Sequence, residues 1–137
     1  MITKTHGNNK IIYKFDVVLT AQQVIELYND AGLPRPTHDP QKIKAMFENS
    51  DLLVTAWNRN KLVGVSRTIT DWVWCSYLAD LAVSPGYKRT GIGKKLIELA
   101  RERTGEQSML LLLSVPMAMG YYPKSRVCTR EQGFHHA

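Results

Sequence analysis

Apolar residues in this chain fall into short runs divided by Gly, Pro, Asn and Asp, and the spacing within each run predicts an element. The run Ile11-Ile12-Tyr13-Lys14-Phe15-Asp16-Val17-Val18 reads as a first strand. Thr20 is a good helix N-cap. Gln22, Val24, Ile25, Leu27 and Tyr28 follow at a spacing that makes one apolar face, and Gly32 is a natural stop. The prolines of Leu33-Pro34-Arg35-Pro36-Thr37-His38 restrict the backbone and remove amide donors, so this segment is a loop. Asp39 then caps a second helix, with Pro40 in its first turn and Ile43, Met46 and Phe47 inward.

Residues 52–57 and 62–69 are two strands of a hairpin about the turn Asn58-Arg59-Asn60-Lys61. A fourth strand spans 74–83. A helix follows over 91–104, with Ile92, Leu96, Leu99 and Ala100 on its apolar side. Residues 109–115 are almost wholly apolar, as a strand buried on both faces is. Residues 116–122 suit a short helix, and Val127-Cys128-Thr129 begins one more strand. The order β-α-α-β-β-β-α-β-α-β describes an α/β or α+β domain on a mixed sheet. No repeat, low-complexity segment or linker interrupts the 137 residues, so 1–137 is read as a single domain.

Composition narrows the setting. The 44% of hydrophobic residues suffices for a real core, and no apolar run is long enough to cross a bilayer. Met1-Ile2-Thr3-Lys4-Thr5-His6-Gly7 lacks the apolar core of a signal peptide, so the expectation is a cytoplasmic protein with no membrane partner. Cys75 and Cys128 stand far apart without a CxxC partner and read as free thiols. His6, His38, His135 and His136 show no ligand spacing, so no metal is expected. The net charge of +6 allows nucleic acid, an acidic membrane surface or a small polyanion as partner. Its tightest group, Lys88, Arg89, Lys94 and Lys95, brackets two glycines instead of forming a long basic arm. That arrangement favours a local phosphate site over a nucleic-acid track.

The stretch in question is Val83-Ser84-Pro85-Gly86-Tyr87-Lys88-Arg89-Thr90-Gly91-Ile92-Gly93-Lys94-Lys95-Leu96. A strand running through a glycine-rich turn into a helix leaves backbone amides unpaired at the helix start, and glycine lets a ligand approach the main chain. The helix dipole and the flanking cations add positive potential, so a diphosphate is the natural guest. A P-loop would need Ser or Thr where Lys95 stands, and a Rossmann fingerprint would need a third glycine at Leu96.

The stretch resembles the acetyl-coenzyme A signature of the GCN5-related N-acetyltransferases (GNAT), which runs Gln or Arg, two residues, Gly, one residue, then Gly or Ala. Here it reads Lys88-Arg89-Thr90-Gly91-Ile92-Gly93 after the family-like strand Asp80-Leu81-Ala82-Val83-Ser84-Pro85. The element order from Ile11 onward is also similar to the family's. Leu27-Tyr28, Leu62-Val63-Gly64 and Arg67-Thr68-Ile69-Thr70-Asp71 resemble phrases of small arylalkylamine-type members. The resemblance implies a mixed, mostly antiparallel sheet with splayed fourth and fifth strands and about four helices. It implies that Leu81, Ala82 and Val83 line the pantetheine arm, with backbone groups of Leu81 and Val83 pairing to it like an extra strand. Lys88, Arg89, Thr90, Gly91, Ile92, Gly93 and Lys94 would hold the pyrophosphate. Lys88 keeps the charge but not the planar fork of an arginine. Dimers are common in the family, so the resemblance allows a homodimer without fixing the oligomeric state.

Transfer to an amine needs a proton returned to the leaving thiolate. A phenol serves, because its pKa of roughly 10 lies above that of a thiol near 8.5. In Ala118-Met119-Gly120-Tyr121-Tyr122 the resemblance places Tyr122 in that role. Asp80 is the most attractive carboxylate for a base, since a charge in an apolar strand costs several kcal/mol unless paired or used. Strand alternation turns it away from Leu81 and Val83 unless a bulge resets the register, so a structural role and water-mediated deprotonation stand beside the catalytic one. Tyr28, Asp71, Trp72 and Trp74 offer an aromatic, partly acidic surface for a cationic acceptor. After Tyr122 the chain departs from the family: its usual Gly-Phe falls on Arg126-Val127, and the Asn often seen before the helix falls on Val115. The implied activity is acetyl transfer from acetyl-coenzyme A to a primary amine of a small molecule or peptide in a ternary complex. A non-catalytic coenzyme-binding module is the alternative, and nucleic-acid binding rests on net charge alone.

Overall fold

The punctuation residues act where the sequence places them. The Thr20 hydroxyl accepts the Gln23 amide at 3.1 Å, and the Gln23 side chain accepts the Thr20 amide at 2.9 Å. This reciprocal box starts α1 (Ala21–Ala31), and Gly32 ends it at φ 74°, a conformation other residues adopt only with strain. Asp39 caps α2 (Pro40–Glu48) by accepting from the amides of Gln41 and Lys42. Gly105 follows α3 (Ile92–Thr104).

The computed structural model describes residues 2–6, 9–114 and 127–131. Its sheet comprises β1 (Ile2–His6), β2 (Asn9–Phe15), β3 (Leu52–Asn58), β4 (Lys61–Thr70), β5 (Cys75–Val83), β6 (Met109–Ser114) and β7 (Val127–Glu131), in that spatial order. The pairs from β1 through β5 are antiparallel, and β5–β6 and β6–β7 are parallel. The mixed, mostly antiparallel sheet expected from the sequence is therefore present. The short helix expected at 116–122, with Tyr122, lies outside the described residues.

Three details differ from the sequence reading. Strand β1 adds a hairpin onto β2, from a segment too polar to signal itself by hydrophobic period. The first predicted strand ends at Phe15, because Asp16 adopts φ 52° and clasps Leu53, donating its amide to the Leu53 carbonyl and accepting the Leu53 amide on Oδ1. Val18 then lies in a loop, 94% exposed. In β6, Leu110 and Leu112 are buried whereas Met109 is exposed, so this run is not covered on both faces.

Each sheet face carries its own core. On one side Val24, Leu27 and Tyr28 of α1 and Ile43 of α2 pack on Trp57, Leu62, Val65 and Ala82. On the other, Ile92, Leu96, Leu99 and Ala100 of α3 join Val54, Val63, Leu78, Val83 and Leu110. Gly64 lets α3 settle on β4, since a Cβ there would stand 3.1 Å from both Ile92 Cγ2 and Leu96 Cδ1.

Two features of β5 shape the site. The register with β4 slips between Arg67 and Thr68, which pair with Asp80 and Leu78, leaving Ala79 as an extra residue. The ladder to β6 runs from Cys75↔Met109 to Leu78↔Leu112, after which β5 continues to Val83 without a further partner in β6. This is the splay the sequence led one to expect.

Candidate functional site

Asp80, buried in the middle of β5, is the hub of a charged cluster at the bulge. Its Oδ1 accepts Arg35 Nε at 2.7 Å, and its Oδ2 accepts both Arg67 Nε and the Tyr28 hydroxyl at 2.7 Å. Arg35 comes from the loop between α1 and α2, and also donates Nη2 to the Ala79 carbonyl at 3.0 Å and Nη1 to the Pro34 carbonyl at 2.7 Å. Arg67 comes from β4, donates Nη1 to Ser50 and lies over the Phe47 ring. Loop, helix and two strands are thus joined at the point where β5 leaves β6.

Burial pushes the Asp80 carboxyl up, but the Arg67 hydrogen bond and charge, the Tyr28 hydroxyl and Arg35 outweigh it and hold the group below its usual range. Burial, then Asp80, pushes the Tyr28 phenol far upward, which keeps it neutral. For Arg67 burial acts against the charge, and Asp80 more than offsets it. A carboxylate held this way accepts hydrogen bonds well and takes up protons poorly.

At the other end of β5, a 3-10 turn at Pro85–Tyr87 leads into α3. Asn58 Nδ2 donates to the Tyr87 hydroxyl, tying this turn to the end of β3. Arg89 and Gly91 take φ 65° and 86°, left-handed backbone on either side of Thr90, the kind of alternation from which anion nests are built. The first ladder bond of α3 is Lys95 N–H to Gly91, so the amides of Ile92, Gly93 and Lys94 have no acceptor inside the helix. Among the described residues no side chain caps them, and the Thr90 hydroxyl turns back to the Tyr87 carbonyl. Lys88, Arg89 and Lys94 are exposed around the turn, Thr90 and Gly91 are half-buried, and Ile92 and Gly93 are buried. Leu81 is half-buried; Ala82 is buried on the α1 side and Val83 on the α3 side.

The four residues expected to face an acceptor are not brought together. Tyr28 is buried and committed to Asp80. Asp71, Trp72 and Trp74 form the β4–β5 hairpin tip, about 13 to 20 Å along the strands from Asp80 at ~3.3 Å per strand residue. There the Asp71 Oδ1 accepts the amides of Val73, Trp74 and Cys75, which lowers its pKa to about 2. Trp72 and Trp74 stand 48% and 69% exposed. Asp71 also raises the neighbouring Cys75 thiol, whose S–H it accepts. Among the described residues no group of three or more His, Cys, Asp or Glu is placed to hold a metal, and no helix is long and apolar enough to cross a membrane.

Sequence reasoning did not single out Arg35 or Arg67. The argument that selected Asp80, a charge inside an apolar strand, extends to Arg67, which lies in the predicted strand 62–69 with Leu62, Val63, Val65 and Ile69. Arg35 carries no such signal, because its loop is polar.

Residues 21–124 match the family model described as "Acetyltransferase (GNAT) family". No curated protein matches the chain. Among solved structures, a GNAT-family acetyltransferase from Streptococcus pneumoniae is similar at 24% identity, with 81% of this chain and 82% of that one covered and a TM-score of 0.67. A probable acetyltransferase from Staphylococcus aureus is 19% identical over 81% of this chain and 84% of its own, with a TM-score of 0.73. The PaiA N-acetyltransferase of Thermoplasma acidophilum, in complex with coenzyme A, is 16% identical over 68% and 72%, with a TM-score of 0.54.

Proposed function

The chain belongs to the GNAT acetyltransferase family, and from that premise we propose that it transfers an acetyl group from acetyl-coenzyme A to a primary amine of a small molecule or peptide, directly and within a ternary complex. The observation that carries this reading is the pairing of an uncapped, cation-ringed α3 N-terminus with a β5 edge that β6 leaves open. The first is suited to a pyrophosphate, and the second to an extended amide-bearing arm that hydrogen-bonds like a strand.

In this reading the neutral amine attacks the thioester carbonyl carbon, the C–S bond breaks, and the thiolate leaves with a proton from the Tyr122 phenol. The amine's own proton passes to water, and Tyr122 regains one from solvent. Asp80 is a positioning residue: both its oxygens already accept charge-assisted hydrogen bonds, and its pKa lies below that of a useful base. It fixes the bulge beside which the reacting groups meet.

The test is an amine panel assayed for thiol release with acetyl-coenzyme A, with Tyr122→Phe as control. Amine-dependent release that falls about 100-fold in the variant, within the range for general acids, supports the reading. Tight coenzyme binding with no release for any amine would instead favour a coenzyme-sensing module.

A further inference from the structure

The charges at the β5 bulge do not balance. Arg35 and Arg67 converge on one carboxylate, Asp80, and the third partner, Tyr28, is neutral. Among the described residues no other carboxylate pairs with either guanidinium: Asp16 accepts the Leu53 amide, Asp51 that of Thr70 and Asp39 those of Gln41 and Lys42, and Glu48 faces Lys44. Residues 115–126 and 132–137 contain no Asp or Glu, and Glu131 stands on β7, two strands from β5. One positive charge is left over in a half-buried setting, where an unpaired ion is costly.

The surplus faces outward on Arg35. Its side chain is 28% exposed, against 10% for Arg67 and none for Asp80. Each terminal nitrogen of Arg35 spends one hydrogen on a backbone carbonyl, Pro34 or Ala79, and the second hydrogen of each has no acceptor among the described residues. Three hydrogen bonds already immobilise this guanidinium, so an incoming anion meets donors whose ordering is complete. The carbonyl it holds, that of Ala79, is the bulge residue itself.

We propose that the acceptor carries a carboxylate, received by the free N–H groups of Arg35 while its amine is directed to the bulge. This deepens the acetyl-transfer reading and rests on it for the identity of the site: the acceptor class is an amino acid or another amino-carboxylate, not a simple alkylamine.

The experiment uses acetylated products, because a carboxylate alters the pKa of a free amine beside it. N-acetylglycine, N-acetylleucine and N-acetylphenylalanine, each against its carboxamide, are titrated by calorimetry into the full chain saturated with coenzyme A. The acids are expected to bind about tenfold or more tightly than the amides, as one charge-assisted hydrogen bond allows. That advantage should shrink at high salt, disappear in Arg35→Gln and be partly kept in Arg35→Lys. Equal binding of acids and amides, binding of neither, or an advantage that survives Arg35→Gln overturns the proposal. If Arg35→Gln does not fold, the wild-type comparison and Arg35→Lys decide it. Preferential binding of acids with no amine acetylated leaves the carboxylate site standing and removes the transfer reading. Acetylation of simple alkylamines with no preference for acids does the reverse.

Discussion

Leu78 and Asp80 stand two residues apart in one strand yet serve opposite faces of the sheet, Leu78 in the core under α3 and Asp80 against Tyr28 of α1. Ideal alternation would put them on the same side. The extra residue, Ala79, turns the strand between them and offers its carbonyl to Arg35. A single residue thereby separates an apolar anchor on one face from a charged hub on the other.

Removing that hub's charge isolates two guanidinium groups. Asp80→Asn is expected to destabilise the fold at pH 7 by about 3–5 kcal/mol, the usual result of stripping a buried ion pair of one partner. The folded carboxyl is held below its ordinary pKa, so its contribution is present above about pH 4, the unfolded value, and is lost as pH falls through the lower folded value. Urea denaturation across pH 7 to 3 should show the two proteins converging at the acid end. A gap independent of pH would show that packing, not charge, is what Asp80 supplies.

Coenzyme binding is read from Gly91. Its φ of 86° strains any side chain, and Gly91→Glu also places a negative charge in the cradle. The apo variant should lose about 1–2 kcal/mol from strain. Acetyl-coenzyme A should raise the melting temperature of the wild type and leave the variant unmoved. Equal rises in both proteins would place the phosphates elsewhere.

Seating of α3 depends on Gly64. A Cβ at this position sits 3.1 Å from two side-chain methyl groups, and a branched side chain drives them further apart. Gly64→Val is expected to cost about 1–3 kcal/mol by overpacking. The helix start moves with the helix, so coenzyme affinity should weaken as well. Unchanged affinity in a destabilised variant would show that the cradle is held by the Tyr87 turn alone.

The hairpin tip has its own fastening. Asp71→Ala frees the amides of Val73, Trp74 and Cys75, and their hydrogen exchange should accelerate about tenfold or more while residues of β5 beyond the bulge stay protected. Because the Asp71 pKa is lowered to about 2, the wild-type tip should be fully protected above about pH 4, the value of the freed carboxyl, and should decline to the level of the variant as pH falls to about 2. A difference between the two proteins that does not change across that range would contradict the geometry.

Local chemistry was enough to read much of this protein from its sequence. Thr20, Gly32, Asp39 and Pro40 bound their helices because capping needs only neighbours a few residues away. The glycines and cations from Lys88 to Lys95 raise the expectation of an anion cradle for the same reason, since the amides it would use belong to one short stretch. Asp80 could be marked as a charge needing a partner, but not supplied with one. Its partners lie 13, 45 and 52 positions away in Arg67, Arg35 and Tyr28. A single extra residue in β5 sets the face on which they meet, and hydrophobic period cannot register it. Tertiary pairing alone decided that Asp80 is enclosed instead of open to a substrate, that Trp72 and Trp74 stand at the far end of the hairpin, and that Arg35 and Arg67 share one carboxylate among the described residues.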